Sequence, residues 1–240
     1  MHTNLSKDRL HVAVDILLLS QTGNALKLLL SRRPSPPYQG ALALPGRLVA
    51  VDHSAEETVD ALLREMLPET IPSSGVYREQ LFTFSDPKRD PRGRVISIAY
   101  LAIIPWQLLS PALEACPTTL ECFTVSAADG EMQLSGSDGS AIDCSALAFD
   151  HGSIIRTGVA RLKGKIEYTE IGFHFLNDPE AFSLGDMQRV FEAVLGRALD
   201  ASNFRRFALN RYEETGKIEQ TERAEKKKRG RPAALYRLKS

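Results

Sequence analysis

The sequence predicts an α+β protein in two parts: a larger N-terminal domain of strands and separated helices, residues 1–165, and a winged helix-turn-helix domain, residues 166–240. Charge is the first ground for this. Residues 183–240 hold 14 Lys and Arg against 8 Asp and Glu, so the formal net charge of zero is a cancellation between two unlike parts. The second ground is periodicity, with short apolar runs and a 3.6-residue pattern interleaved through the first part. The third is order: after Ser183 come two short helical patterns, a strand, the cationic run Lys226-Lys227-Lys228-Arg229-Gly230-Arg231-Pro232 and a closing strand.

In the first part, residues 11–19 and 25–30 are apolar runs divided by Gly23-Asn24, which predicts a hairpin. Arg32-Arg33-Pro34 stops the second strand, and Ala41–Gly46 resumes extended chain before a turn. Residues 54–67 place Val59, Leu62, Leu63, Met66 and Leu67 at helical spacing behind Ser54, with Glu57 completing a capping box and Pro68 enforcing the end. Residues 79–84 and 95–105 read as strands, the second apolar enough to be central. Between them, Ser85–Arg94 is dense in charge. Short strand-like pieces occupy 128–145, and a helix opened by Asp150 covers 150–162. In the second part, Ser183 with Asp186 caps a helix over 184–195 that ends at Gly196, and Asp200 caps another over 201–214. Strands over 217–221 and 234–238 then flank the cationic tip.

These patterns exclude several functions. No apolar run approaches the roughly 20 residues needed to span a bilayer, and the first residues lack a signal-peptide core, so a cytoplasmic protein without membrane partners is expected. Cys116, Cys122 and Cys144 are odd in number and form no Cys-x-x-Cys pair, which argues against a disulfide framework and against a zinc site. A solvated basic run points instead to double-stranded DNA. The second helix offers Ser202, Asn203, Arg205, Arg206 and Asn210 to base edges and phosphates, while Lys226, Lys227, Lys228, Arg229 and Arg231 at the wing tip reach phosphates or the minor groove.

Leu44-Pro45-Gly46-Arg47, a loop and the helix 54–67 resemble the Nudix box, whose helical carboxylates hold Mg²⁺ against a diphosphate. Aligned without gaps, Arg47 stands for the second Gly, His53 for the loop Glu, Ala61-Leu62 for Arg-Glu and Glu65-Met66 for Glu-Glu. One metal carboxylate survives, so neither a bound metal nor an enzyme is expected. A degenerate Nudix domain followed by a winged helix is similar to the Nudix-related transcriptional regulators, the NrtR family. The similarity extends to Glu79–Phe84, Arg89–Arg94, Leu147–His151, Asn203–Arg206 and Arg229–Tyr236. It implies a Nudix-like α/β/α sandwich and a homodimer that represses from operator DNA. No cofactor is implied; the effector is ADP-ribose or a related nucleotide of NAD metabolism. Relatives of this architecture also sense sugars, and a Nudix-type hydrolase with a nucleic-acid-binding tail is the rival class. For a diphosphate effector, Arg47, Arg89, Arg92 and Arg94 would supply cations, Glu65 would accept a ribose hydroxyl, and Tyr38 or Phe84 would stack on a base. Read alone, the charged loop also fits a salt-bridged surface turn.

Overall fold

The computed structural model describes residues 9–71, 75–115, 120–128, 131–225 and 233–239. Its centre is the strand β1 (His11–Thr22), whose alternate side chains enter different cores because successive residues of a strand face opposite ways. Val14, Ile16 and Leu18 point to one layer of helices, and Leu17 and Leu19 point to the other. β2 (Ala25–Arg32) returns antiparallel across the Gly23-Asn24 turn, as expected, each strand running slightly longer than its apolar run. β3 (Leu42–Ala43) and β4 (Gly46–Leu48) add short antiparallel pairings to β2 and β1.

Helix α1 (Ala55–Met66) is opened by the expected capping box: the Ser54 hydroxyl accepts from the Glu57 N–H at 3.1 Å, and the Glu57 carboxylate accepts from the Ser54 N–H at 2.8 Å. It lays Val59, Leu62 and Leu63 on the sheet. β5 (Tyr77–Phe84) pairs antiparallel with β6 (Val95–Ile103), and β6 runs parallel to β1, covered on both faces as its apolarity predicted. In this first part, α2 (Trp106–Ala115) and β7 (Glu121–Ala128) have no counterpart in the sequence reading. β8 (Glu131–Ser135) and β9 (Ala141–Asp143) complete an order of β5-β6-β1-β2-β7-β8-β9 among the described residues.

α3 (His151–Lys165) crosses the second face of the sheet, with Ile154, Ile155, Val159 and Leu162 in the same core as Leu17 and Leu19. The sheet thus lies between α1 with α2 and α3, the expected sandwich. That core continues without a break into the C-terminal part. There β10 (Phe182–Ser183) leads into α4 (Leu184–Leu195), which packs on α3 and β2. α4 has the expected Ser183–Asp186 capping box and ends at Gly196, whose φ of 70° is a left-handed conformation that glycine adopts without strain. Asp200 caps α5 (Ala201–Ala208), which continues through a wider π turn over Leu209–Glu213. β11 (Ile218–Glu225) and β12 (Ala233–Leu238) form the wing, and β10 pairs with β12 as a third strand that the sequence did not reveal. No described helix is long and apolar enough to cross a membrane.

Candidate functional site

β1 carries one charge through its apolar interior. Asp15 shares its face with Leu17 and Leu19 and is buried beneath the start of α3. An unpaired carboxylate there would be costly, and the fold supplies partners from three distant segments. The Ser97 hydroxyl donates to Asp15 Oδ2 at 2.5 Å, Arg89 Nη2 donates to the same oxygen at 3.1 Å, and His151 Nε2 lies 3.5 Å from Oδ1. The same guanidinium grips Asp150 twice, at 2.9 and 2.7 Å. Burial alone would lower Arg89, but Asp150 and Asp15 together hold it above its ordinary value, so its charge is fixed.

His151 is neutral. Its Nδ1 accepts the Leu44 N–H at 2.8 Å and so carries no proton, and burial pushes its pKa down against the pull of Asp15. Gly46 follows from the same crowding, since a Cβ at this position would overlap the Asp15 carboxylate and the Val14 carbonyl. The Pro45-Gly46 signature therefore marks a close approach of backbone to a buried charge.

Beside this network lies an open cavity of about 240 Å³ whose wall includes Asp15, Arg33, Arg47, Arg89, Arg92 and Phe149. Phe149 stands at φ 55°, a conformation rare for a bulky residue, as does its neighbour Tyr38 at φ 63°. Their rings meet edge to face with centroids 5.0 Å apart. The Arg33 guanidinium lies 4.5 Å from the Phe149 ring centroid and that of Arg92 lies 5.5 Å from it. Arg92 is neutralised by Asp90, at 2.7 Å from Oδ2; burial raises the Asp90 carboxyl, but Arg92 holds it below the usual range. Arg33 is half-buried and among the described residues has no ion-pair partner, though its Nε donates to the Pro37 carbonyl at 2.7 Å; burial and then Arg92 push its pKa down against Asp90 and Asp15.

Of the residues expected to bind a ligand, the structure brings Arg47, Arg89 and Arg92 to this wall. Arg47 also forks onto both Glu65 oxygens, holding the Glu65 carboxyl below its ordinary range, and Glu65 stands outside the cavity. Arg94 donates to the Ser85 carbonyl at 2.9 Å and does not line it either. The charged loop is salt-bridged, as its composition allowed, but Arg89 and Asp90 are buried rather than on a surface turn. Phe84 packs against the core, and Tyr38 backs Phe149. Sequence reasoning missed Asp15, Arg33, Phe149 and the buried role of His151, although a lone Asp inside an apolar strand was a usable signal. Glu65, the one box carboxylate left by the gapless alignment, is paired with the Arg47 guanidinium and does not stand free to hold a Mg²⁺. Among the described residues no three His, Cys, Asp or Glu side chains converge as metal ligands.

In the C-terminal part, Phe204 and Ala208 anchor α5 against α4, with the Phe191 and Phe204 ring centroids 5.1 Å apart. That packing turns Ser202, Asn203, Arg205, Arg206 and Asn210 outward, and all are exposed. Arg206 Nη2 reaches Asn203 Oδ1 at 3.3 Å, presenting an amide and a guanidinium side by side. Lys226, Lys227, Lys228, Arg229 and Arg231 lie outside the described residues, between the ends of β11 and β12.

Comparison with known proteins agrees with this arrangement. Residues 172–238 match the family model described as the NrtR DNA-binding winged helix domain. A protein of Acinetobacter baylyi named "ADPR responsive transcriptional repressor NtrR" is 30% identical over 227 residues, covering 95% of this chain and 81% of its own length. The crystal structure of Shewanella oneidensis NrtR with a 27mer DNA superposes with a TM-score of 0.71 at 28% identity, covering 95% of this chain and 93% of that one. A shorter match, 39% identical over 94 residues, covers 38% of this chain and 51% of an ADP-ribose pyrophosphatase from Methanocaldococcus jannaschii. With a Nudix-like sandwich joined to a winged helix and a repressor relative that matches 95% of this chain, the chain belongs to the NrtR family of DNA-binding transcriptional regulators.

Proposed function

We propose that this regulator senses ADP-ribose or a related NAD metabolite in the cavity beside Asp15, and that it represses genes of NAD biosynthesis or salvage as a cytoplasmic homodimer. One observation carries the reading. Where a diphosphate hydrolase needs carboxylates to hold a metal, this cavity has guanidinia, including the half-buried Arg33, which among the described residues is held by backbone carbonyls and by no carboxylate. Arg33, Arg47 and Arg92 would meet a diphosphate by charge-assisted hydrogen bonds in place of the metal. Catalysis is lost in this reading, because Glu65 is bound by Arg47 and one carboxylate does not assemble a metal centre. The division of labour would fall near residue 165, with the effector and dimer contacts before it and DNA contacts from α5 and the wing tip after it.

Calorimetric titration with ADP-ribose, in parallel with a magnesium-supplemented hydrolysis assay, tests this. The wild type is expected to bind without turnover, and Arg33→Ala or Arg92→Ala to weaken binding by about 1.5–3 kcal/mol, the range for hydrogen bonds to charged groups. The pyrophosphatase match over 94 residues favours the rival hydrolase reading, and ordinary enzymatic turnover abolished by Glu65→Gln would establish it.

A further inference from the structure

Three helix-opening residues, Ser54, Ser183 and Asp200, each use a side-chain oxygen to accept an N–H from the helix they begin. Asp150, which opens α3, makes no side-chain cap hydrogen bond: its backbone carbonyl takes the Ser153 N–H at 2.9 Å instead, and its backbone at φ −99° and ψ 20° departs from the extended geometry of the other three. Arg89 accounts for the difference: it holds both Asp150 oxygens, at 2.9 and 2.7 Å, while its Nη2 also reaches Asp15 at 3.1 Å. One buried guanidinium on the cavity wall is thus shared between a carboxylate rooted in the sheet and a carboxylate rooted in α3.

We propose that Arg89 is a ligand-operated switch: an anionic group entering the cavity draws it away from Asp150, and the freed Asp150 carboxylate turns to cap α3. This rests on the cavity being the ADP-ribose site. The consequence reaches the DNA-reading part through packing. Val159, Leu162 and Ile166 share one core with Phe191 and Val194 of α4, and α4 carries α5. The capped and uncapped starts of α3 are two discrete arrangements, and each site biases the choice between them.

The full chain with ADP-ribose tests this. Amide exchange over 151–154 is expected to slow when ADP-ribose is added to the wild type. Asp150→Ser and Asp150→Asn keep a good capping residue but remove the charge that competes for Arg89. Both are expected to show that slow exchange without ADP-ribose, and to bind a selected operator within about twofold of ADP-ribose-saturated wild type, where coupling of this kind is worth about 5- to 150-fold. Variants that respond to ADP-ribose as fully as the wild type overturn the switch. So does a wild type that binds ADP-ribose with unaltered exchange at 151–154, and that measurement decides the matter even where a variant does not fold. A wild type that binds no ADP-ribose removes the effector reading, and the switch with it.

Discussion

The Leu44 N–H bonded to His151 Nδ1 makes a buried histidine pH-sensitive in a defined direction. Its folded pKa lies below the ordinary 6.5, so under acid the unfolded chain binds a proton that the folded one resists. Stability is then full above about pH 6.5 and falls as the pH drops through and below that value. His174, stacked on Tyr77 with centroids 4.0 Å apart and also lowered by burial, adds to the same trend. Thermal unfolding between pH 7.5 and 5 should show a falling Tm, with a shallower fall in His151→Gln; an unchanged slope would show that His151 is not the buried neutral group described. Gly46→Ala should destabilise by about 1–3 kcal/mol in denaturant titration, because the added Cβ collides with Asp15 and with backbone. A loss below about 0.5 kcal/mol would mean that the Asp15 approach is looser than it looks. These contacts were illegible in the sequence, since Asp15 and Arg89 are 74 residues apart and Arg89 and Asp150 are 61 apart. Only the lone charge in an apolar strand hinted at them.

At the scale of elements, short-range signals carried furthest. The Ser54–Glu57 and Ser183–Asp186 boxes, the Asp200 cap and Gly196 each span four residues or fewer, and each stands as read. α2 was hidden because Pro111 sits inside it and no acidic residue marks its first turn; packing against β1 outweighs that poor local preference. β10 is two residues long and pairs with β12 more than fifty positions away, which no local pattern announces. Helix and wing should fail differently when mutated. Asn203→Ala or Arg206→Ala should cost about 1–3 kcal/mol on operator and little on scrambled duplex, as lost base contacts do. Neutralising Lys226, Lys227 and Lys228 should weaken binding to both duplexes and flatten the salt dependence, because fewer counterions are displaced. Equal losses on both duplexes for the helix variants, read by titration at two salt concentrations, would overturn this division.

At the scale of the whole molecule, a single apolar core runs from the sheet through α3 and α4 to Phe204, Tyr212 and Tyr236. Polar ties reinforce it: Asn24 Nδ2 donates to the buried Glu192 at 2.9 Å, and Arg211 Nη2 donates to the Tyr168 carbonyl at 2.5 Å. Under the proposed switch, this core is the route by which a change at the α3 face would reach the reading head. One winged helix contacts few base pairs, so sedimentation should find a dimer on a two-fold operator, and monomers at micromolar concentration with and without DNA would exclude it. The link between cavity and DNA is tested most directly by titrating the full chain against an operator selected from a random duplex library, with and without saturating ADP-ribose. A ligand-responsive regulator should shift its operator Kd by about fivefold or more while its affinity for scrambled DNA changes less. An operator Kd that does not move, in protein shown by calorimetry to be saturated with ADP-ribose, would contradict the account.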